Sequence, residues 1–301
     1  MKVLVTGTSG QLGYDVMMEL KRRGHTGVGA DRAGGSGEFE SVVLDITDKD
    51  KVMEVVRELQ PDAVVHCAAW TNVDAAEDPA NLAVVRAVNV DGTRNIAEAC
   101  KEVGAKMVYI STDYVFDGTG ERPWQPDDKN YAPLNVYGQA KLDGELAVAE
   151  TLKKYFIVRI AWVFGKNGQN FIKTMLKVGE GRDEISVVDD QIGTPTYTVD
   201  LARLIVDMIE TEKYGYYHAT NEGGYISWAD FAEEIFHVAG LPCRVKRVST
   251  AEYEKIAGKP VAKRPFNSRL DKSKLVEAGF LPLPDWKEAV KWYVENLWKN
   301  E

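Results

Sequence analysis

Apolar residues recur with two alternating periods from the N-terminus to residue 160. The runs KVLVT (2–6), TGVGA (26–30), SVVL (41–44), DAVVH (62–66), KMVYI (106–110) and FIVRI (156–160) are short and β-rich. Between them lie stretches with helical spacing, such as QLGYDVMMELKRRG, KDKVMEVVRELQ, ANLAVVRAVNVDGTRNIAEACKEVG and NVYGQAKLDGELAVAETLKK. Apolar strands alternating with amphipathic helices predict an α/β fold with a parallel sheet covered on both faces. Right-handed crossovers make such a sheet doubly wound.

After Phe164 the pattern loosens and Gly, Pro and aromatic residues become more frequent. A helical stretch, TVDLARLIVDMIE, and the strand-like YYHAT place 198–220 back in the sheet. Residues 165–197 and 221–301 then form a smaller, discontinuous C-terminal lobe that holds substrate, beside a nucleotide-binding domain of 1–164. No internal repeat, low-complexity tract or long linker interrupts the chain.

Composition narrows the function. The chain has 301 residues, 45% of them hydrophobic and 28% charged, which is the balance of a soluble globular protein. A net charge of −9 argues against a nucleic-acid partner, whose phosphates select basic surfaces. No run approaches the ~18 apolar residues of a membrane span, and strand-like sequence follows Met1-Lys2 directly, leaving no room for a signal peptide. Cys67, Cys100 and Cys243 are odd in number and far apart, which suits reduced thiols and a cytoplasmic location. The four scattered histidines and the lack of Cys-x-x-Cys give no zinc signature, and there is no P-loop motif.

The stretch GTSGQLG sets Gly7, Gly10 and Gly13 between the first strand and the first helix. Glycines there permit a tight turn and close backbone approach, and the helix N-terminus offers free N–H groups to a pyrophosphate. That context predicts a dinucleotide site of the Rossmann type. Asp31 lies near the ~20-residue offset at which an acid meets the adenosine ribose, favouring NAD. Arg32 follows it and suits a 2′-phosphate, favouring NADP. Asp45, after the third strand, is a second candidate for the adenine end.

Ligands of a doubly wound sheet bind beyond the carboxyl ends of its strands, where other suggestive residues also fall. CAAWTNVD brings Ala68 and Ala69, small enough for a flat ring to approach. STDYVFDG brings Thr112 and Asp113, and AWVFG brings Trp162. Tyr137 and Lys141, in YGQAK, stand four apart on one helical face. An ammonium near a phenol lowers its pKa towards the range useful in acid–base catalysis. Together with the glycine turn, these residues describe a Ser/Thr–Tyr–Lys redox site.

The combination GTSGQLG, CAAWTNVDAAE, STDYVFDG, APLNVYGQAK, RIAWVFG, DQIGTPT and RPFNSRLD resembles the extended short-chain dehydrogenase/reductases nearly end to end. Within them it is most similar to the branch that reduces nucleotide-linked 4-keto sugars, the dTDP-4-dehydrorhamnose reductases. The resemblance implies a doubly wound Rossmann-type sheet with a smaller sugar-nucleotide lobe. It also implies NADPH- or NADH-dependent reduction of a dTDP-linked 4-keto sugar to give dTDP-L-rhamnose. Thr112, Tyr137 and Lys141 are then catalytic, while Val73, Thr112, Asp113, Tyr114 and Trp162 line the sugar. The cofactor falls to Gly7, Gly10, Gln11, Leu12, Gly13, Asp31, Arg32, Asp45, Ile46, Ala68, Ala69, Thr71, Tyr137 and Lys141. Some members form magnesium-linked dimers through acidic side chains, and Asp15 stands where such an acid is found; the chain is expected to be a monomer or homodimer. His66-Cys67 replaces the Asn-Ala frequent in the family. A 4,6-dehydratase would carry Asp-Glu after its threonine, whereas Thr112 is followed by Asp113-Tyr114. A nucleotide-sugar 4-epimerase and a non-catalytic NADP-binding module, resembling the regulatory subunit of methionine adenosyltransferase, remain open alternatives.

Overall fold

The computed structural model describes residues 1–34, 37–258 and 261–298. Its first half runs β1 (Lys2–Thr6), α1 (Gln11–Arg22), β2 (Thr26–Asp31), β3 (Ser41–Val43), α2 (Lys49–Leu59), β4 (Ala63–His66), α3 (Val73–Ala76), α4 (Leu82–Arg86), α5 (Thr93–Val103), β5 (Lys106–Thr112), α6 (Val136–Thr151) and β6 (Tyr155–Ile160). There follow β7 (Val163–Phe164), α7 (Phe171–Gly179), β8 (Glu184–Val188), β9 (Ile192–Gly193), β10 (Thr196–Tyr197), α8 (Thr198–Ile209) and β11 (Gly215–His218). The chain closes with β12 (Ile226–Ser227), α9 (Trp228–Ala239), β13 (Arg244–Val248), α10 (Thr250–Ala257), α11 (Ser273–Glu277) and α12 (Trp286–Tyr293).

Seven strands form one parallel sheet in the order β11-β6-β5-β4-β1-β2-β3. The chain winds outward from β1 to β3, returns to the other side of β1 at β4, and winds outward again. That reversal opens a crevice at the carboxyl ends of β1 and β4, the place where such sheets bind ligands. Alternation along β1 sends Val3 and Val5 to a core shared with Leu12, Val16, Leu201 and Ile205 of α1 and α8. Leu4 points to the opposite core, with Val52, Val56, Ile96 and Val148 of α2, α5 and α6. The segment 198–218 is therefore part of this layer: α8 packs beside α1, and β11 pairs with β6.

Outside the sheet, β8 pairs with β13, β9 with β12 and β7 with β10. These strands and α7, α9 and α12 enclose a third core built on Phe164, Ile172, Leu176, Phe231, Ile235, Trp286 and Tyr293. No helix among the described residues is long and apolar enough to cross a membrane.

Two features depart from simple periodicity. The stretch 80–104 is not one regular helix, because residues 87–92 form a π-helical turn between α4 and α5. Within that turn the Asn89 side chain accepts from the Trp70 N–H (2.8 Å) and donates to the Trp70 carbonyl (3.0 Å). The bulge aims the amide at the β4 loop, and such bulges are frequent at functional sites. The second feature is Arg159, a cation within β6 that is fully buried. Its guanidinium forms a bidentate pair with the equally buried Glu145 of α6, at 2.9 and 2.8 Å.

Candidate active site

The glycine turn lies at the mouth of the crevice. Gly7 has φ +73°, and a Cβ there would stand 2.7 Å from the Ala68 nitrogen. A Cβ at Gly13 would collide with the Gly7 carbonyl oxygen. Gly10 caps α1 in extended conformation without a side chain, so the N–H groups of Gln11, Leu12 and Gly13 lack intrahelical acceptors. They and the helix dipole suit an anion. Leu12 anchors this end in the core, and Gln11 Oε1 accepts from Asn170 Nδ2 at 3.0 Å.

Asp31 ends β2 and ties that strand to the turn: Oδ2 accepts from the Ser9 N–H (3.1 Å), and Oδ1 from the Arg32 N–H (2.8 Å). The Arg32 side chain is exposed beside it. Asp45 accepts from the N–H and hydroxyl of Thr47, at 2.9 and 2.7 Å. Those bonds, with the Arg32 charge, hold its carboxyl below the usual range. Ile46 is buried beneath Gly92 of the π turn. These residues fit the pyrophosphate and adenosine half of a dinucleotide.

Beyond β4, Ala68 and Ala69 lie partly buried and Thr71 exposed. The Ala68 N–H donates to Thr6 Oγ1 at 3.2 Å. The unusual His66 is buried between Thr6 and Thr93, with its ring nitrogens 2.8 and 3.2 Å from the two hydroxyls. Burial, with the Lys141 charge adding to it, pushes the imidazole down to about 3, so it is neutral. Burial pushes the Cys67 thiol up to about 12. Neither residue offers acid–base or nucleophilic chemistry at neutral pH.

Thr112 is the last residue of β5. Its hydroxyl donates to Asp113 Oδ1 (2.9 Å) and accepts from the Tyr114 N–H (3.2 Å), capping a short 3₁₀ turn. Asn135 caps α6 by accepting from the Gly138 N–H at 2.7 Å, which sets Tyr137 in the first turn. The Tyr137 phenol lies close enough to Thr112 for that hydroxyl to act on its titration. The Tyr114 ring meets that of Tyr137 edge-on at 5.7 Å. One turn further, Lys141 is 4% exposed and holds Nζ 4.1 Å from the Tyr109 ring centroid.

The electrostatic balance differs from the simple expectation that the ammonium makes the phenol acidic. Burial raises the Tyr137 phenol, the Asp113 carboxylate raises it further, and the Thr112 hydroxyl opposes both. Burial lowers the Lys141 ammonium to about 7, against the pull of Glu145 and Cys67. Desolvation dominates both groups, and the phenol holds its proton securely at neutral pH.

Asp113 is 2% exposed, and its Oδ2 has no hydrogen-bond partner among the described residues. Burial lifts this carboxyl to about 6, with the Ser268 and Thr112 hydroxyls pulling it back. Val73 opens α3 at the same edge, and Trp162 stands partly buried between β6 and β7. The segment 262–268 crosses the crevice from the C-terminal lobe. Arg264 pairs with both Asp74 oxygens at 3.0 Å, and the Lys263 carbonyl accepts from Asn135 Nδ2 at 2.8 Å. Glu77 fastens α3 to the start of α6 by accepting from the Val136 N–H at 2.7 Å.

Reading the sequence alone missed Asn89, Arg264 and Ser268. Asn89 looked like one polar residue in a helical run, and only the π turn shows its clamp on Trp70. Arg264 and Ser268 belong to RPFNSRLD, distant in sequence yet brought to Asp74 and Asp113. Asp15, which the resemblance sets where some members carry a magnesium-linking acid, faces inward between α1 and α8 and accepts from Thr198 Oγ1 at 2.5 Å. Burial lifts its carboxyl to about 6. No cluster of three or more His, Cys, Asp or Glu suited to a metal occurs among the described residues.

Comparison with known proteins adds an independent line. The family model described as RmlD substrate binding domain matches residues 1–298. A dTDP-4-dehydrorhamnose reductase of Streptomyces griseus is 42% identical over 294 residues, covering 95% of this chain and 91% of that one. A dTDP-4-keto-6-deoxy-D-glucose reductase of Streptomyces niveus is 38% identical, covering 95% and 94%. The crystal structure of a Bacillus anthracis dTDP-4-dehydrorhamnose reductase in complex with NADP superposes with a TM-score of 0.88. It is 41% identical, covering 100% of this chain and 99% of that one.

Proposed function

This chain belongs to the dTDP-4-dehydrorhamnose reductase family of extended short-chain dehydrogenase/reductases, and on that premise we propose that it reduces dTDP-4-dehydrorhamnose to dTDP-L-rhamnose with NADPH or NADH. The broader class follows from the family: it is an oxidoreductase acting on a dTDP-linked 4-keto-6-deoxy sugar. The observation that carries the reductase chemistry is the grouping of Thr112 and Tyr137 with Lys141 and the buried Asp113 at the carboxyl edge of the sheet; the choice of sugar rests on similarity to the Streptomyces griseus enzyme.

The glycine turn, the α1 N-terminus, Asp31 and Arg32 hold the dinucleotide, with Ala68 and Ala69 walling its path towards Tyr137. A bound reduced nicotinamide supplies a hydride to the carbonyl carbon of the sugar. Tyr137 gives its proton to the carbonyl oxygen as negative charge develops there. Its raised pKa keeps that proton in place until the oxygen becomes basic enough to take it. Thr112 offers the same oxygen a second donor once its hydroxyl turns from Asp113 Oδ1. Lys141, one turn along the same helical face, contributes positive charge to the site and is the group assigned to the nicotinamide ribose.

Residues 165–197 and 221–301 are read as the lobe that holds the sugar nucleotide. Asp113, Tyr114, Val73 and Trp162 face the hexulose, and Arg264 is the cation at its edge. The Streptomyces niveus relative is described for a different 4-keto sugar, so the product's configuration is the informative readout. Purified protein is offered NADPH with dTDP-4-dehydrorhamnose, with dTDP-4-keto-6-deoxy-D-glucose, and with dTDP-glucose. The reading predicts fastest cofactor oxidation with the first, dTDP-L-rhamnose as product, and unchanged dTDP-glucose. Preference for the second sugar would overturn the assigned substrate, and a 4-keto product from dTDP-glucose would overturn the reductase chemistry.

A further inference from the structure

Trp162 has φ +52°, in the left-handed region. For a bulky aromatic residue this is an outlier, and such strain persists only where the surroundings over-determine it. Three contacts do so here. The Thr196 N–H donates to the Trp162 carbonyl (3.2 Å), and Thr196 Oγ1 donates to the Ala161 carbonyl (2.6 Å), fixing the backbone. The indole stacks on Trp228 with centroids 3.8 Å apart and planes 18° from parallel. At its edge Gly193 leaves room, since a Cβ there would lie 2.9 Å from Trp162 Cε2 and 3.0 Å from Ser268 Cβ.

Trp228 is itself placed with care. It is the first residue of α9, whose N-terminus is fixed by a reciprocal cap between Ser227 and Asp230. Phe171 packs against its ring at 4.6 Å. Trp228 is only partly buried, so it does not simply fill the lobe core. Core filling alone would not require a strained backbone at the neighbouring Trp162.

We propose that Trp228 is a positioning residue for the reaction: stacked on Trp162, it holds that indole as the wall against which the hexulose ring is oriented, while Gly193 keeps the opposing edge clear. This rests on the 4-keto sugar reductase reading. Trp228 touches neither the hydride path nor the glycine turn, so its effect falls on sugar binding.

The test measures Trp228→Ala, Trp228→Phe and Gly193→Ala in steady-state kinetics, with NADPH dissociation constants and thermal midpoints for each. Loss of one stacked aromatic face predicts a KM for the sugar nucleotide raised roughly 3- to 10-fold in Trp228→Ala. Turnover should stay within about 2-fold and NADPH affinity should be unchanged, because neither the proton donor nor the dinucleotide site is altered. Trp228→Phe should restore most of the loss. Gly193→Ala, which pushes the indole from the other side, should raise KM in the same way, and it decides the matter if Trp228→Ala fails to fold. Unchanged sugar KM in the folded variants, or equal losses in turnover, sugar KM and NADPH affinity, would overturn the proposal. A wild-type protein inactive on every 4-keto sugar nucleotide would instead overturn the reading on which it rests.

Discussion

Replacing Glu145 with Gln tests the electrostatic frame behind α6, the helix that carries Tyr137 and Lys141. Glu145 and Arg159 are both fully buried and joined by two hydrogen bonds. Removing one member of such a pair leaves an uncompensated charge and typically costs about 3–5 kcal/mol. Arg159 keeps the Pro126 carbonyl and the Tyr131 hydroxyl, both at 3.0 Å, as partners. Those bonds place the expected loss near the lower bound, about 3 kcal/mol. Glu145 is also one helical turn from Lys141 and supports its charge. Removing the carboxylate's charge should therefore move the Lys141 titration further down. Urea unfolding gives the first quantity. The pH profile of kcat/KM for NADPH, which reports the free enzyme, gives the second. The wild-type profile should fall as pH rises through about 7, the value at which Lys141 loses its proton. The Glu145→Gln limb should lie at lower pH. An unchanged unfolding midpoint together with an unmoved limb would refute the reasoning.

Lys141 also fixes the sign of a stability trend. Its ammonium titrates at about 7 in the fold and at ~10.4 in an unfolded chain. The unfolded state therefore binds more protons between those values, and Lys141's contribution to stability rises with pH across that window. Lys141→Met should flatten the rise in urea midpoint between pH 7 and 10, and an unaltered slope would contradict the assignment. For the cofactor, Arg32→Ala should weaken NADPH by roughly 10-fold or more while sparing NADH, since only NADPH carries the phosphate. Asp31→Ala should weaken both, because its carboxylate also anchors the Ser9 N–H; fluorescence titration separates the cases. Gly7→Ala should raise the dissociation constants of both cofactors and lower the thermal midpoint, given its φ of +73° and the Cβ clash with Ala68. Normal cofactor binding by Gly7→Ala would show that the turn does not need its geometry.

The sheet was legible because each strand is a continuous apolar run, as expected for strands buried on both faces. The glycine turn was legible because its position between β1 and α1 narrows its meaning, and the i, i+4 spacing of Tyr137 and Lys141 survives as a shared helical face. Less legible was anything that depends on desolvation. The spacing of Tyr137 and Lys141 suggested a mutual charge effect, whereas burial governs both groups. Nothing local in FIVRI marks Arg159 as the partner of Glu145, which lies 14 residues earlier on α6. Tertiary contacts between distant segments, Arg264 with Asp74 and Trp228 with Trp162, leave no local period to read.

Under the proposed function, Tyr137 hands its proton to the carbonyl of a dTDP-4-keto-6-deoxy sugar. The most direct measurement follows NADPH oxidation by wild type and Tyr137→Phe with dTDP-4-dehydrorhamnose, alongside NADPH titration of both proteins. Loss of the general acid should lower turnover by about 10²–10⁴-fold, while NADPH binds the variant nearly as tightly because the ring and its packing remain. Near-normal turnover by Tyr137→Phe, with dTDP-L-rhamnose still formed, would contradict the account.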